Sequence, residues 1–268
     1  MYLCSLGSGS SGNAIIVRSA AHYSVLIDCG VQYPRLTRNL AQVGIAPSAI
    51  DAIVLSHEHT DHTQSAPLFA ATFGTLVIAS TDLQRLRIPV SAIVSETFAH
   101  GETFAVGDIA ITPLRVSHDA SATYGFVVTA DGVSAAIFTD LGHGTPSVCA
   151  AAAAADLVIV EANYDGEMLE SGSYPWFLKA RIRGGGGHLS NADCAALLAS
   201  AFTRDTPRDV WLAHLSKNNN TPERAVATVA SALRAANIHA ASVTALPRYT
   251  IGPTWEAIRH QQLTLFPT

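Results

Sequence analysis

The chain has 268 residues, of which 49% are hydrophobic, and a formal net charge of -5 at pH 7. The hydrophobic content is sufficient for a large core. No apolar run is long enough to cross a bilayer, so we expect no membrane partner. The negative charge argues against a generally basic protein that coats nucleic acid. The four cysteines are scattered without C-x-x-C spacing, which favours a reduced, cytoplasmic protein over a disulfide scaffold.

Short strand patterns separated by turn signals dominate the first half of the chain. Strands are predicted at Tyr2–Cys4, Ala14–Arg18, Ser24–Asp28, Ala52–Leu55, Thr75–Ala79, Ile109–Val116, Thr123–Thr129 and Ser134–Thr139. Helices are predicted between them at Pro34–Val43, Ala66–Phe73 and Asp82–Arg87. The turn signals include GSGSSGN after the first strand, and ADG at Ala130–Gly132 predicts a tight hairpin.

The second half of the chain continues the alternation of strands and helices. Buried strands are predicted at Leu157–Glu161 and Val210–Leu215. Helices are predicted at Tyr174–Arg181, Asn191–Phe202 and Pro222–Ala236, and the last begins with Thr221 as its N-cap. No repeat, linker or charge run divides the chain, so we predict one α/β domain over residues 1–268.

The stretch Ser56–Thr63, SHEHTDHT, contains three of the 11 histidines directly after a predicted strand. Side chains two apart in extended chain point the same way, so His57 and His59 should lie side by side. Asp61 and His62 should follow in a turn or first helical turn and face the same point from a second direction. A polar surface loop would be the alternative, but this spacing offers two ligand pairs, enough to begin two metal sites. The H-E-x-x-H motif of mononuclear zinc proteases does not occur here.

Three further candidate ligands lie at predicted strand ends elsewhere: His118 and Asp140 follow strands, and His214 lies at or near the end of one. A single histidine after a strand is more often a structural residue than a ligand. The shared placement of these three at strand ends, behind the histidine motif, favours the ligand role. Imidazole and carboxylate donors without thiolate suit Zn²⁺ or Mn²⁺.

The order HxHxDH, then a distant His, an Asp and a His, resembles the metallo-β-lactamase-fold hydrolases across nearly the whole chain. Further blocks resemble the YycJ/WalJ-type branch, described as exonucleolytic: LGSGSSGNAIIV, LSHEHTDH, VSHDA, TDLGH, VIVEANYD, YPWFLKARI, GGHLSN and HLSKNNNTPE. The resemblance implies a four-layer αββα sandwich with the metal site at one edge of the two sheets. It also implies one ion on His57, His59 and His118, another on Asp61, His62 and His214, and Asp140 as the bridge.

The substrate is less determined, because the same metal core serves thioesters, lactones, lactams and phosphodiesters. EANYD at Glu161–Asp165 resembles an acidic motif of the nuclease branch that carries a β-CASP insertion, although Glu161 alternatively supports a metal-bound histidine. Donors suited to phosphate oxygens recur in HLS, HLSKNNN and KARIRGGGGH. We therefore predict substrate contacts from Lys179, Arg181, Arg183, Ser216 and Asn218, and catalytic roles for Asp61, Asp140 and His188.

Asp140 and His214 are too close in sequence for a full β-CASP domain, so any nucleic-acid-binding insertion must be small, around residues 161–191. The leading hypothesis is a dinuclear metal-dependent nuclease of the exonuclease type, with DNA favoured over RNA. A small-molecule hydrolase of thioesters or lactones is the second, and a non-catalytic metal-stabilised binding module is the third. The overall acidity favours the second hypothesis, whereas the neighbourhoods of Lys179 and Lys217 favour the first. The GSGSSGN loop is either a plain hairpin turn or a source of donors near the metals.

Overall fold

The computed structural model of the chain describes residues 1–86 and 88–257. Its strands are β1 (Tyr2–Gly7), β2 (Ala14–Arg18), β3 (Ser24–Ile27), β4 (Ala52–Val54), β5 (Leu76–Ser80), β6 (Glu96–Phe98), β7 (Phe104–Val106), β8 (Ile109–Val116), β9 (Thr123–Ala130), β10 (Val133–Phe138), β11 (Leu157–Glu161), β12 (Arg208–Ala213), β13 (Ala241–Ala245) and β14 (Thr254–Glu256). Its helices are α1 (Tyr33–Gln42), α2 (Thr60–Thr63), α3 (Ala66–Phe73), α4 (Thr81–Arg85), α5 (Pro146–Ala154), α6 (Gly166–Ser171), α7 (Trp176–Arg183), α8 (Asn191–Ala201) and α9 (Pro222–Ala235), with 3-10 turns at Pro47–Ala49 and Pro89–Ile93.

The strands of the described residues form two sheets. The first has the order β14-β1-β2-β3-β4-β5-β6, and the second has the order β13-β12-β11-β10-β9-β8-β7. Inward-facing side chains of both sheets share one core, to which Val25, Phe126 and Ile159 belong. The outer face of the first sheet is covered by α1 and α3, and that of the second by α5, α8 and α9. These layers confirm the predicted four-layer αββα sandwich.

Strand direction brings several loops to one edge of the sandwich. Strands β10, β11 and β12 are parallel. Strand β8 is antiparallel to β9, which is antiparallel to β10, so β8 runs in the same direction as β10. The segments that follow β8, β10, β11 and β12 therefore leave the second sheet at the same edge.

Local sequence signals account for several element boundaries. The ADG turn joins β9 to β10 with positive φ at Asp131 (54°) and Gly132 (74°), as the tight hairpin requires. Thr221 caps α9 by accepting a hydrogen bond from the Arg224 amide at 3.2 Å. No helix of the described ranges is long and apolar enough to span a membrane.

Other boundaries differ from the predictions. The helix predicted at Tyr174–Arg181 begins at Trp176 and continues to Arg183, because Pro175 occupies its N-cap position. The helix predicted at Asp82–Arg87 spans Thr81–Arg85, and Arg87 lies outside the described residues. The short strands β6, β7, β13 and β14 and the helices α5 and α6 were not predicted from the sequence.

Candidate metal centre

The histidine motif leaves β4 as extended chain and then turns into α2. His59 occupies the N-cap position of that helix, and Asp61 and His62 lie in its first turn, as predicted. Backbone bonds hold this turn against neighbouring loops, since the Cys29 amide donates to the His62 carbonyl at 2.8 Å. A Cβ at Gly30 would lie 1.7 Å from the Asp61 carbonyl oxygen, so only glycine permits this approach.

The first ligand group consists of His57, His59 and His118, whose ligand nitrogens lie within 4.8 Å of one another. The His118 Nδ1 donates to the Gly187 carbonyl at 3.0 Å, which leaves Nε2 free to bind a cation. The Nε2 atoms of His57 and His118 are buried and have no hydrogen-bond partner among the described residues. Buried polar atoms are normally satisfied, so these two imidazole nitrogens fit a metal ion as their missing partner.

The second ligand group consists of Asp61, His62 and His214. The Asp61 Oδ2 lies 3.3 Å from the His214 Nε2 and 3.7 Å from the His62 Nε2. The Asp140 carboxylate lies between the groups, with Oδ2 at 2.7 Å from the His62 Nε2 and Oδ1 at 3.5 Å from the His118 Nε2. Asp140 and His214 both have positive φ, 52° and 54°, which turns the chain sharply after β10 and β12.

A buried carboxylate that the sequence analysis missed orients two of these histidines. The Asp28 Oδ2 accepts from the His62 Nδ1 at 2.7 Å and from the Ser56 hydroxyl at 3.0 Å. The Ser56 Oγ lies 3.0 Å from the His57 Nδ1. Because the hydroxyl donates its proton to Asp28, its oxygen accepts from this Nδ1. The lone pairs at Nε2 therefore point into the centre for both histidines. The sequence signal for this role was the position of Asp28 at the end of a buried strand, like that of the candidate ligands.

Glu161 orients the other side of the centre. Its Oε1 accepts from the His214 Nδ1 at 2.7 Å and from the His188 Nδ1 at 2.8 Å. Its Oε2 accepts from the Leu141 amide at 2.8 Å. This fully buried carboxylate therefore holds two imidazole rings. The contact to His214 agrees with the alternative named above, in which Glu161 supports a metal-bound histidine.

The charges of the centre favour a bound cation. Burial, and then the neighbouring His62, lowers the pKa of His57. The imidazole is therefore neutral, which is the form that binds a metal ion. Burial also opposes a charge on His62 and His214, but the surrounding carboxylates outweigh it and raise the pKa of His62 well above its usual value and that of His214 to about 10. Burial would raise the pKa of Asp140, yet His214 and His62 hold it well below its usual value. The donor set thus suits divalent cations.

The GSGSSGN loop closes the β1–β2 hairpin and also contacts the metal centre. The Ser8 Oγ accepts from the His214 amide at 2.8 Å. The Asn13 Nδ2 lies 3.1 Å from the His62 Nε2 and donates to the Asp61 carbonyl at 3.3 Å. The loop is therefore not only a hairpin turn, because its side chains also contact residues of the candidate metal centre.

A cavity of about 210 Å³ lies beside the centre. Among its lining residues are Ser10, Tyr174, Leu178, Arg181, His188 and Ser216. The imidazole of His188 is 22% exposed, and its Nδ1 is taken by Glu161. The Ser216 Oγ accepts from the Asn219 amide at 3.2 Å, and the Asn218 side chain donates to the Tyr174 hydroxyl at 3.0 Å.

The cationic side chains of α7 are engaged by acceptors. The Arg181 Nε donates to the Asp119 Oδ2 at 2.6 Å, and Asp119 in turn lies 3.4 Å from the His118 Nε2. The Arg183 Nη1 donates to the Glu170 Oε2 at 2.7 Å, and Lys179 donates to the Glu170 carbonyl. The structure brings Arg181 to the cavity but places Lys179, Arg183 and Asn218 outside its lining. Both acidic partners were missed, because Asp119 is 62 residues from Arg181 and Glu170 lies on the separate helix α6.

Comparison with known proteins identifies the family. The family model of the beta-lactamase superfamily domain matches residues 23–215. Exodeoxyribonuclease WalJ of Streptococcus pneumoniae is 34% identical over 239 residues, which cover 87% of this chain and 88% of the relative. Exodeoxyribonuclease YycJ of Bacillus anthracis is 29% identical over 232 residues, which cover 85% of this chain and 87% of the relative.

A solved structure agrees with these matches at the level of the fold. The metallo-beta-lactamase fold protein YhfI from Bacillus subtilis is similar with a TM-score of 0.71 and 18% identity, covering 95% of this chain and 99% of that protein. The fold, the family model and the two relatives all agree with the resemblance found in the sequence. The chain therefore belongs to the beta-lactamase superfamily, as an enzyme of the group that includes the exodeoxyribonucleases WalJ and YycJ.

Proposed function

We propose that this enzyme is a metal-dependent nuclease that hydrolyses phosphodiester bonds at the end of a DNA strand, and that it acts in the cytoplasm. The observation that carries the proposal is the convergence of two ligand groups on Asp140, beside a cavity that contains His188. The activity named for WalJ and YycJ supports DNA as the substrate over RNA.

The cofactors in this proposal are two divalent cations, Zn²⁺ or Mn²⁺. His57, His59 and His118 would hold one ion, Asp61, His62 and His214 would hold the other, and Asp140, which lies between the two groups, would be shared by them. The unpartnered buried nitrogens of His57 and His118 support this assignment. When bound, such ions lower the pKa of water and neutralise the charge that develops on a phosphate.

The residues of the chain then position the substrate around that centre. The hydrogen bond from the His188 Nδ1 to Glu161 fixes the imidazole. Burial opposes a charge on His188, but Glu161 outweighs it and raises the pKa of this ring. In its protonated form the ring donates through Nε2 to a phosphate oxygen or to the departing oxygen. Arg181 and Ser216 line the same cavity and bind the terminal phosphate. Lys179, Arg183 and Asn218 lie outside the cavity and contact the strand further from its end.

The size of the cavity supports action at a strand end. Its volume of about 210 Å³ is below the roughly 300–1,000 Å³ of sites for drug-sized ligands. We therefore expect it to accept one residue of a strand while the remainder stays outside. Much of its lining comes from residues 174–188, in agreement with the predicted substrate-facing insertion at 161–191 of a single domain. Trp176 and Phe177, which are 79% and 62% exposed, offer aromatic faces on which bases stack.

The small-molecule alternative has one specific observation in its favour. Leu178 and Ile182 give the cavity an apolar side that suits the acyl part of a thioester or lactone. A panel of substrates separates the two functions. The enzyme is incubated with end-labelled single-stranded DNA, duplex DNA, RNA, a thioester and a lactone, in Mn²⁺, in Zn²⁺ and with chelator.

We expect DNA to be shortened progressively from one end, chelator to stop the reaction, and the Asp61→Asn variant to be inactive. Hydrolysis of the thioester or lactone without cleavage of any nucleic acid would contradict the proposal and establish the alternative.

A further inference from the structure

We infer that a basic cluster formed by Arg35, Lys217, Arg248 and Tyr249 binds the phosphodiester backbone of the strand that continues outside the cavity. The inference rests on the proposed function and deepens it, because it names a second substrate-binding surface. Of these four residues only Lys217 was indicated by the sequence, where its neighbourhood favours a nucleic-acid substrate.

The basic cluster borders the cavity. Ser10 and Ser216 line the cavity, and the residues that follow them, Ser11 and Lys217, lie about 3.8 Å further along the chain. The Ser11 hydroxyl donates to the Tyr249 hydroxyl at 3.4 Å. Arg248 donates to the carbonyl of Leu215, which stands between His214 and Ser216 in the chain. A strand that leaves the cavity past Ser10 and Ser216 therefore meets this cluster.

The cationic groups of the cluster converge on one aromatic ring. The Arg35 guanidinium carbon lies 4.9 Å from the centroid of the Tyr249 ring, and that of Arg248 lies 6.0 Å from it. The hydrogen bond from Ser11, together with the positive charges of Lys217, Arg248 and Arg35, lowers the pKa of Tyr249. The ring is 43% exposed, so the cluster faces solvent.

The positive charge of the cluster is not neutralised by carboxylates. Arg35, Lys217 and Arg248 form no ion pair with a carboxylate in the described part of the chain, whereas Arg181 and Arg183 are paired with Asp119 and Glu170. The protein has a net charge of -5. Three unpaired cations beside its candidate metal centre therefore create a local positive potential that attracts an anion. Phosphates of a nucleic-acid backbone are the anions that the proposed substrate presents there.

The position of Arg248 is built into the fold. A Cβ at Gly9 would lie 2.5 Å from the Arg248 Nη1, and Gly9 has a φ of 141°, so glycine is needed for the guanidinium to pack against this loop. The Nη1 itself is buried and has no hydrogen-bond partner among residues 1–86 and 88–257. Because this atom is buried, Arg248 contributes its charge to the cluster, while the direct contacts to phosphate fall to Arg35 and Lys217.

The test removes two charges whose residues belong neither to the ligand groups nor to the residues that line the cavity. The double variant Arg35→Ala, Lys217→Ala is compared with the control Arg204→Ala, Arg234→Ala, which removes the same charge from exposed positions. Arg234 lies in the last turn of α9, about 18 Å along the helix from the end that begins near the site. Values of kcat/KM on end-labelled single-stranded DNA and RNA are measured against salt concentration, and bis-p-nitrophenyl phosphate serves as the small phosphodiester.

Each lost phosphate contact flattens the log–log salt dependence on a single strand by about 0.7, so the double variant should lose about 1.4. At physiological salt this corresponds to a fall in kcat/KM of about tenfold on any sequence. The flattening should be equal on DNA and RNA, because their backbones present the same phosphates. Turnover of bis-p-nitrophenyl phosphate and the behaviour of the control variant should match the wild type. Lys217→Gln alone, at an exposed side chain, should flatten the slope by about 0.7.

A wild-type slope in both Arg35→Ala, Lys217→Ala and Lys217→Gln would overturn the inference while the nuclease activity stands. If the wild-type enzyme cleaves no nucleic acid, the proposed function fails and the inference fails with it.

Discussion

The substitution Glu161→Gln tests how His214, a proposed metal ligand, is oriented. The Oε2 atom of Glu161 accepts from the amides of Leu141 at 2.8 Å and Leu189 at 3.3 Å, so the oxygen of a glutamine must remain on that side. Its NH₂ group then faces the Nδ1 atoms of His188 and His214, which are now 2.8 and 2.7 Å from Oε1. An amide NH₂ donates and cannot accept, so both rings must present Nδ1 as an acceptor.

The consequence falls on the second ligand group. When Nδ1 of His214 becomes the acceptor, the proton moves to Nε2, the atom that lies 3.3 Å from the Asp61 Oδ2 and is proposed to bind metal. Loss of such an orienting partner weakens metal binding by about 10- to 100-fold, which equals about 1.4 to 2.7 kcal/mol. We expect the upper end of this range, because a buried negative charge is lost together with the acceptor that orients His214.

The assay is competition for Zn²⁺ between the protein and a chromophoric chelator, with turnover measured on the same samples. Glu58→Gln is the matched control, since the Glu58 carboxylate accepts from the Ser121 amide at 2.8 Å and from its hydroxyl at 3.0 Å and orients no histidine. The reasoning is refuted if Glu161→Gln binds both ions as tightly as the wild type.

Three further predictions concern recognition and the contribution of the metals. His188→Ala and Ser216→Ala should keep full metal content in elemental analysis, and His188→Ala should slow phosphodiester cleavage by about 10²- to 10⁴-fold; metal loss in either variant would move that residue into the ligand set. Arg181→Ala combined with Arg183→Ala should weaken DNA binding and leave bis-p-nitrophenyl phosphate turnover intact, and unchanged DNA degradation at moderate salt would contradict this role. Removal of the ions by chelator should lower the Tm, because ions at 1,000-fold above their Kd add about 4 kcal/mol to stability, and an unchanged Tm would argue against a buried metal centre.

The sequence predicts the residues that gather at the centre because their placement follows from local rules. His57 and His59 share a face of extended chain, and Asp61 and His62 lie in the turn that follows. His118, Asp140 and His214 follow strands that point the same way, so a strand-end rule is sufficient to bring them together. The four layers follow from the same alternation of strands and helices.

The partners of these residues could not be found in this way. Asp28 meets His62 only after β3 and β4 have paired, and Asp119 meets Arg181 across segments distant in sequence. Such contacts depend on the packing of separate elements, for which spacing along the chain carries no signal. The same reason explains why Lys179, Arg181 and Arg183 were predicted as substrate contacts, although Arg181 and Arg183 are paired with carboxylates. The guanidinium groups of Arg35 and Arg248, which no sequence pattern indicated, lie at the ring of Tyr249.

The central claim is that two ions are held by two ligand groups that share Asp140. The most direct measurement is elemental analysis of metal per chain in the wild type and in Asp140→Ala, after saturation with Zn²⁺ or Mn²⁺ and removal of excess ion. The account predicts two ions per wild-type chain and fewer than two in the variant, which should also be inactive. Two ions per chain in Asp140→Ala, or a single ion in the fully active wild type, would contradict it.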